Sequence, residues 1–317
     1  MKSAAVMIFC PPFRLNMPPQ KNIAVLINPS SAGGRTLTLW PGIRQKLEAD
    51  GFWIKNHISE SESDFRNQIK LFARKFKSIA VCGGDSSLTI AAEELASIRF
   101  RGELKFIPAG SVNDIVLDIR EQSAERKAAA YLGHLAAGAA QKMFIGQANW
   151  GLGVVVNLWV GKTLQTLPIL RPLQNFIGTL SIILAHLLRR ECVQLTIQAD
   201  AQQRSGIFSV VLVSQIRHWA SGLVFAPEAS YLKPEFQVVT IRRCGLMRLI
   251  KIILAAKNGG HLRFPEVESY LAYEIEIFSE KAIGVQIDGD ILRDRGKEIQ
   301  HRSFVLKKKQ SALSLTL

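Results

Sequence analysis

Glycines and an aspartate follow a short apolar segment at residues 78–95, in an order that can bind a phosphate. Residues 79–82 (Ile-Ala-Val-Cys) predict a buried strand, and residues 91–95 favour a helix. Between them, Gly83 and Gly84 lack a Cβ, so the backbone can come close to an anion. A strand, a glycine turn and a helix in this order direct backbone N–H groups at a phosphate.

Polar side chains continue this turn into the helix. Asp85 is a carboxylate that can meet Mg²⁺ or a ribose hydroxyl. Ser86 and Ser87 add hydroxyl groups. The alternative is an ordinary strand-to-helix turn in which Asp85 or Ser86 only caps the helix.

Two further turns have the same character. Residues 28–35 (Asn-Pro-Ser-Ser-Ala-Gly-Gly-Arg) follow the apolar run 23–27, and residues 108–114 (Pro-Ala-Gly-Ser-Val-Asn-Asp) follow the run 104–107. In an open parallel sheet the carboxyl ends of the strands face the ligand crevice. We therefore expect the three turns to form one site rich in N–H and hydroxyl donors, with Arg35 as a positive charge.

The elements that position these turns alternate along the first part of the chain. Strands are predicted at 22–27, 52–58, 78–82 and 104–107, and helices near 36–50, 62–76, 87–98, 113–119 and 124–138. This alternation predicts a parallel sheet with helices on both faces. After residue 191 the pattern changes to strands, at 192–199, 206–214, 236–242, 271–278, 282–287 and 302–306.

Composition narrows the class of protein. The 317 residues carry a formal net charge of +14, which favours anionic partners such as a nucleotide or a membrane surface. The four cysteines form no C-x-x-C pair, so neither a disulfide framework nor a zinc site is expected. No H-E-x-x-H spacing occurs among the six histidines. Basic and aromatic residues do not interleave as on an RNA-binding platform, so nucleic acid is not an expected partner.

A basic amphipathic stretch lies in the second half of the chain. Residues 242–263 contain six Lys or Arg and no acid, with apolar residues at helical spacing. This pattern is typical of a helix on a membrane surface. The alternative is a helix packed on the protein whose basic side chains reach into water.

Five stretches in this order resemble the catalytic domain of diacylglycerol kinases, the soluble lipid-kinase superfamily that includes bacterial diacylglycerol, sphingosine and ceramide kinases. They read N-P-x-S-x-G at 28–33, G-G-D at 83–85, P-x-G-S-x-N-D at 108–114, A-P-E-A at 226–229 and V-Q-I-D-G-D at 285–290. The resemblance covers roughly residues 21–292. It implies an α/β fold with an N-terminal doubly wound parallel-sheet nucleotide-binding domain and a C-terminal β-sandwich domain.

That architecture gives four expected regions. Residues 1–20 are an N-terminal tail, 21–145 the nucleotide-binding domain, 146–300 the β-sandwich lipid-binding domain, and 301–317 a basic C-terminal tail.

The resemblance also implies the site. ATP and Mg²⁺ are the expected cofactors, and Asp85 and Asp114 the candidate metal ligands. Asp290 takes the place of the proton acceptor, with Asp288 and Asp85 as further catalytic candidates. Two carboxylates two residues apart on a strand share a face, and their repulsion can raise a pKa. The candidate nucleotide-binding residues are Asn28, Ser31, Arg35, Gly83, Gly84, Asp85, Ser86, Ser87, Gly110, Ser111, Asn113 and Asp114.

The sequence departs from the family pattern at several places. Ser86 adds a Cβ where the family has glycine, Ile90 and Phe144 replace acids, and Asp290 is shorter than the family's glutamate. Residues 232–237 (Leu-Lys-Pro-Glu-Phe-Gln) stand where bacterial relatives have an acidic stretch that resembles a structural magnesium site, so such a site is doubtful here.

The leading hypothesis is therefore a lipid kinase that transfers the γ-phosphoryl group to a lipid hydroxyl, at a cytoplasmic position peripheral to the inner face of the membrane. Its expected partners are a membrane lipid substrate, an anionic membrane surface and a second copy of the chain in a homodimer. Two alternatives stay open. The first is a weak or inactive relative that binds nucleotide and lipid, and the second is an NAD kinase-like enzyme.

Overall fold

The first half of the chain is a parallel sheet between helices, as seen in a computed structural model that describes residues 21–109, 114–122, 129–166, 192–220, 222–294 and 297–317. Its strands and helices are β1 (Lys21–Ile27), α1 (Arg35–Ala49), β2 (Phe52–Ile58), α2 (Glu62–Ala73), β3 (Ser78–Gly83), α3 (Asp85–Ser97), β4 (Glu103–Pro108) and α4 (Asp114–Glu121). These four strands lie in the order β2-β1-β3-β4. A short 3₁₀ turn, Ser31–Gly34, precedes α1.

Both faces of this sheet are covered. On one face, side chains of α2, α3 and α4 such as Phe65, Leu88 and Ile115 form one core. On the other face, Trp40 of α1 packs with Ile23 and the other buried residues of β1 that point to that face. The central strand is apolar on both sides because both sides are buried, as expected for a parallel sheet. The predicted doubly wound arrangement is confirmed.

The second half is an antiparallel sheet folded into a sandwich. The strands and helices of this half are β5 (Tyr131–Ala137), β6 (Ala140–Phe144), β7 (Gln147–Gly151), α5 (Leu152–Thr166), β8 (Val193–Ala199), β9 (Gln202–Ser214), β10 (His218–Trp219), β11 (Leu223–Val224), β12 (Phe236–Arg242), α6 (Leu246–Ala255), β13 (Val267–Ala272), β14 (Glu274–Ile283), β15 (Gln286–Ile287), β16 (Asp290–Ile291), β17 (Arg293–Asp294), β18 (Lys297–Glu298) and β19 (His301–Gln310), with 3₁₀ turns at Ala256–Asn258 and Gly260–Arg263. The last strand, β20 (Ser314–Thr316), belongs to the N-terminal sheet. The path of the antiparallel sheet is β16-β15-β7-β9-β8-β14-β19-β5-β6, and β12 also pairs with β9 and with β13.

Aromatic side chains fill the core of the sandwich. The ring of Trp150 meets that of Phe304 edge-on at 5.4 Å, and Phe144 stacks on Phe236 at 5.8 Å. Gly133, on the strand beside Phe144, leaves room for its ring, because a Cβ there would lie 2.4 Å from the Phe144 Cζ atom. The place where the family carries an aspartate is therefore a core position in this chain.

Two predictions about elements are wrong. Residues 131–137, expected in a helix, form β5, because pairing with β6 and β19 outweighs the helix preference of the alanines. Residues 301–317 are not a tail. They form β19 in the sandwich and β20, which pairs in parallel with β4 and extends the N-terminal sheet. Leu313 and Leu315 are buried in the core there, and this burial explains why the segment packs on the protein.

The predicted N-terminal tail, residues 1–20, lies outside the described residues, as do 110–113, 123–128, 167–191, 221, 295 and 296. In the part of the chain that the structure describes, no helix has both the length and the apolar character to cross a membrane.

Candidate functional site

The first two predicted turns meet at one edge of the parallel sheet. They leave β1 and β3, which are hydrogen-bonded neighbours. The Asn28 backbone N–H donates to the Cys82 carbonyl at 3.0 Å, and the Asn28 side-chain amide donates to the Ser87 hydroxyl at 2.9 Å. The Asn28 carboxamide oxygen also accepts the Ser30 N–H, which closes the first turn on itself. Asparagine thus fixes the distance between the two turns.

The third turn joins the same edge from β4. The Ala109 N–H donates to the Gly83 carbonyl at 2.8 Å, and the Asp114 N–H donates to Asp85 Oδ2 at 3.0 Å. Gly110, Ser111 and Asn113 lie between these two anchors and outside the described residues. Ser31 and Arg35 stand after β1, with Arg35 exposed as the first residue of α1.

The start of α3 has the form of an anion site. A Cβ on Gly83 would lie 2.7 Å from the Ser87 hydroxyl oxygen, so only glycine fits between the two turns. Gly84 is the residue before the helix and makes no side-chain cap. Ser86, in the first turn of the helix, is half-buried rather than enclosed. The first amide groups of α3 are thus without a side-chain cap, and a phosphate is a natural partner for such groups.

Asp85 is the carboxylate at this helix start, and only one of its oxygens has a partner. Oδ2 accepts the Asp114 N–H, whereas Oδ1 is buried with no hydrogen bond from the described residues. Burial and, to a smaller extent, the negative charges of Asp114 and Asp288 together raise the pKa of Asp85 to about 8. A cation at Oδ1 would remove this unfavourable charge, so the arrangement fits a metal that arrives with a phosphate.

Asp114 lies beside Asp85 but already binds the other half of the molecule. It is buried, and its Oδ1 accepts the Gly222 N–H at 2.8 Å. In the described ranges, no group of three or more His, Cys, Asp or Glu side chains has the geometry to hold a metal. Mg²⁺ would therefore need phosphate oxygens as ligands in addition to Asp85 and Asp114, which is its habit in nucleotide sites.

Asp288 is committed to the backbone. Its Oδ1 accepts the N–H groups of Gly146 and Gln147 at 2.9 and 2.7 Å. Its Oδ2 accepts the Ile145 N–H at 2.9 Å and the Thr89 hydroxyl at 2.6 Å. Burial raises its pKa, and these four bonds oppose the shift. Three of these bonds hold the hairpin to residues 145–147 of the sandwich, and the fourth joins it to Thr89 of α3. Because both oxygens are fully occupied, the geometry argues against Asp288 as a base and favours a positioning role.

Asp290 differs from Asp288 although only one residue separates them. Asp288 and Gly289 have φ values of 46° and 89°, and Ile287 pairs with Asp290, which defines a two-residue hairpin of type I′. The two carboxylates do not share a face, contrary to the prediction, because the chain reverses between them. Asp288 points into the protein, and Asp290 is exposed. Of the two, Asp290 is the one that a substrate can reach.

A cavity of about 240 Å³ adjoins the first two turns and was not predicted. Asn28 and Ser87 line one side, and Phe65 and Ile90 give it an apolar wall. The turn after β1 adds Pro29 and Ser30, and the rest of the lining comes from the segment after β2, which includes Ser59, Glu60 and Glu62. Carboxylates after the second strand of such sheets bind ribose hydroxyls, and that general rule is the sequence signal that could have found them.

A second missed feature ties α4 to the sandwich. Asp118, fully buried, accepts the N–H groups of Arg217 and His218 and bonds to His218 Nδ1 at 2.9 Å. The hydrogen bond with Asp118 raises the pKa of His218. Asp118 lies one helical turn after Asp114, so both residues hold the 217–222 segment from the same face of α4.

Two family models match the chain. Residues 22–148 match the "Diacylglycerol kinase catalytic domain", and residues 165–306 match the "YegS C-terminal NAD kinase beta sandwich-like domain". Together they span most of the chain, and their order is the order of the two sheets.

Relatives and solved structures agree with these matches. A diacylglycerol kinase of Staphylococcus haemolyticus is 24% identical over 279 residues, with 86% of this chain and 82% of the relative covered. A diacylglycerol kinase of Bacillus subtilis is 22% identical over 276 residues, with 85% and 90% covered. The crystal structure of a diacylglycerol kinase from Bacillus anthracis str. Sterne is similar in fold, with a TM-score of 0.61, 15% identity, and 93% and 96% of the two chains covered.

Proposed function

The chain belongs to the diacylglycerol kinase family and is a lipid kinase, and from this we propose that it transfers the γ-phosphoryl group of ATP, with Mg²⁺, to a hydroxyl of a lipid such as diacylglycerol or a sphingoid or ceramide-like alcohol. The observation that carries the proposal is the start of α3. There, among the residues that the structure describes, the first amide groups have no side-chain cap and Oδ1 of Asp85 has no partner, at the junction of two turns.

The nucleotide has a direction in this proposal. Its phosphates lie at the first turn of α3, near Asn28, Ser31, Arg35 and Ser87. Its nucleoside end occupies the cavity beyond β1 and β2, where Phe65 and Ile90 meet the base and the Glu60 and Glu62 region meets the ribose. Phosphates are excluded from that end because two carboxylates would repel them.

Asp85 and Asp114 are the residues that would hold Mg²⁺, which supplies neutralisation of charge on the phosphate oxygens when it is bound. Asp290 accepts the proton of the lipid hydroxyl as that oxygen bonds to the γ-phosphorus and ADP leaves. Asp288 keeps the hairpin in place for this step. The work of the protein is mainly positioning and charge stabilisation, as in phosphoryl transfer generally.

The lipid half of the proposal is supported by α6. Met247 and Leu254 are 67% and 70% exposed and lie on the same face of the helix, two turns apart. Lys251 is exposed between them. Arg248 instead forms a two-pronged ion pair with Glu266, at 2.9 and 3.0 Å. An apolar helix face that also carries the exposed Lys251 suits the surface of an anionic bilayer. Binding through this face would bring the site at the start of α3 to a lipid whose acyl chains remain in the inner leaflet of the membrane.

Vesicle sedimentation tests this surface. The protein should bind anionic vesicles more tightly than neutral ones and leave them at high salt, because each basic residue contributes ~1 kcal/mol that salt screens. Lys251→Glu should weaken binding by roughly tenfold, since it replaces an attraction by a repulsion. Equal binding to neutral and anionic vesicles would remove the electrostatic part of the argument.

The division into 21–145 and 146–300 as nucleotide-binding and lipid-binding domains, the cytoplasmic placement and the homodimer stay predictions. The decisive experiment incubates the full chain with labelled ATP, Mg²⁺ and a panel of lipid alcohols in mixed micelles, with Asp85→Ala as the control. Phosphorylated lipid is expected from the wild type alone. ATP binding without product on any alcohol would instead identify a weak or inactive relative.

A further inference from the structure

A lysine ammonium lies at the centre of the turn that follows the A-P-E-A stretch. We call residues 230–235 the 230–235 turn. Lys308, on β19, donates from Nζ to the carbonyls of Ser230 at 2.8 Å, Lys233 at 3.0 Å and Glu235 at 2.8 Å. The same Nζ lies 5.1 Å from the centre of the Phe236 ring, on the next strand. One side chain from a distant strand thus meets three main-chain oxygens of a single turn.

The number of bonds is informative. An ammonium has three N–H donors and no acceptor, so three carbonyls satisfy it completely. A neutral amine has only two donors and would leave one of these oxygens without a partner. Burial lowers the pKa of Lys308 to about 7, and the Glu235 carboxylate opposes that shift. Only the charged form can donate to all three carbonyls at once.

The residues of this turn do not fit a structural metal. Several oxygen ligands, carboxylates above all, are what Mg²⁺ requires. The stretch 232–237 offers the single carboxylate of Glu235 beside the basic Lys233. The main-chain oxygens that converge here already accept from Lys308, and the described residues contain no metal-binding cluster of acids or histidines. The magnesium that the family resemblance suggested at this place is therefore not expected.

We propose that the ammonium of Lys308 is the cation of the 230–235 turn, covalently tethered, and that it organises the turn in place of a metal ion. The turn needs a cation because its backbone carbonyls converge on one point, and lysine supplies one without any dependence on dissolved metal.

The turn connects this lysine to the nucleotide-binding half. The Ser230 hydroxyl donates to Gln122 Oε1 at 2.6 Å, and Gln122 Nε2 donates to Asp118 Oδ1 at 3.1 Å. The Tyr131 N–H donates to the Tyr231 carbonyl at 2.7 Å. Lys308 is therefore a positioning residue for the end of α4. This inference is independent of the proposed activity, since unfolding measurements can test it.

Denaturation of the full chain in urea is the test. Lys308→Met keeps most of the stem and removes three charge-assisted bonds, so the unfolding equilibrium constant should rise on the order of 100-fold. Lys309→Ala, an exposed neighbour on the same strand, is the matched control and should change little. Equal stability of the Lys308→Met and Lys309→Ala variants would overturn the proposal.

Chemical rescue identifies the missing group. In Lys308→Ala, propylammonium should restore stability, whereas tetramethylammonium at the same ionic strength, which has no N–H donor, should not. Rescue by both ions alike would mean a general salt effect and would overturn the proposal. If the alanine variant fails to fold, an NMR measurement on the wild type still tests the proposal. Its Lys308 ¹⁵Nζ resonance should show a slowly exchanging NH₃⁺, and rapid exchange like that of exposed lysines would contradict a bound cation.

Discussion

Two polar regions of this molecule treat charge in opposite ways. At the start of α3, the carboxylates of Asp85, Asp114 and Asp288 lie close enough to raise the pKa of Asp85, and one Asp85 oxygen has no partner among the described residues. At the 230–235 turn, the carbonyl oxygens and the Lys308 ammonium satisfy one another. Both regions lie where the two halves of the chain meet.

The difference separates a place that exchanges ligands from a place that only holds the fold. A buried charge without a partner lowers the stability of the fold, and proteins retain such charges mainly where a bound ligand compensates them. A balanced site has nothing to gain from a ligand. The hairpin holds a fully hydrogen-bonded carboxylate, Asp288, and an exposed one, Asp290, within three residues, so it offers the sharpest tests.

Asp290 should carry the largest effect on turnover. As the exposed proton acceptor, Asp290→Asn should lower kcat by about 100-fold to 10,000-fold, which is the usual contribution of a general base. ATP binding should not change, because a base acts on the chemical step. Glu298→Gln, which removes an exposed carboxylate on β18, is the control, and single-turnover rates with titration calorimetry are the measurements.

Asp290→Glu sharpens the same comparison, since it restores the length of the family's glutamate. A slower enzyme or a changed lipid preference is expected if the acceptor has moved to meet the shorter side chain. Full activity of Asp290→Asn would show that the base is elsewhere, with Asp85 as the next candidate.

Asp288 should matter more for folding than for chemistry. Asp288→Ala leaves three buried amide N–H groups and the Thr89 hydroxyl without their acceptor. Unfilled donors of this kind cost about 1–3 kcal/mol each, so the free energy of unfolding should fall by about 3 kcal/mol or more. Asp290→Ala on the same hairpin should change it by about 0.5 kcal/mol at most. Equal losses in urea denaturation would break the distinction between the two residues.

The raised pKa of Asp85 predicts a pH dependence of nucleotide binding. Below about pH 8 the free protein holds a proton on Asp85 that must leave when the metal and nucleotide bind. With a pKa of about 8, affinity for Mg²⁺ and ATP should therefore fall by about fivefold between pH 8 and pH 7 and by about tenfold for the next pH unit. Without ligand, stability should decrease as pH rises from about 4 to 8, because the unfolded chain loses this proton first.

Calorimetry at several pH values, in buffers of different ionisation enthalpy, measures the released proton. Asp85→Asn should bind weakly and show no such slope. A wild type whose affinity is flat between pH 7 and 8 would mean that Asp85 does not meet the metal.

Ser86 should have the smallest effect. It is half-buried in the first turn of α3, where the family has glycine. Removal of its Cβ in Ser86→Gly should tighten ATP binding by about 1 kcal/mol, or roughly fivefold, if that carbon crowds the phosphates. Ser86→Ala, which keeps the Cβ and removes only the hydroxyl, is the control. Weaker binding in both variants would show that the hydroxyl donates to the nucleotide.

The sequence was most informative where local order decides structure. Strands β1 to β4 and the turns after β1 and β3 could be predicted, because a buried parallel strand is a short apolar run that glycines end. The turn at Asp288-Gly289 is predictable in the same way, since an Asp-Gly pair favours the type I′ geometry observed. The sequence could not predict which way the side chains of this turn point. The Asp288 carboxylate points into the protein, as its bonds to residues 145–147, about 140 positions earlier, show.

The same limit explains the other misses. Residues 131–137 are rich in alanine, and only their pairing with β6 and β19 makes them a strand. Lys308 belongs to a run of three lysines that looks like a solvated tail. Its role depends on carbonyls more than seventy residues away, and backbone oxygens leave no trace in residue types. The cavity after β2 draws on Ser59 to Phe65, and the sequence signal for it is a carboxylate after the second strand.

The pairing of β20 with β4 has a consequence for how the protein is made. Ser314 lies beside Glu103, so the N-terminal sheet gains its fifth strand only after some two hundred further residues have been joined. A ribosome-bound chain that has completed β1 to β4 still exposes a parallel edge, with no Leu313 or Leu315 over its core. We expect this half to mature after synthesis of the sandwich, rather than in the N-to-C order that multidomain chains usually follow. Chaperones that bind unpaired strands would then meet this protein at β4.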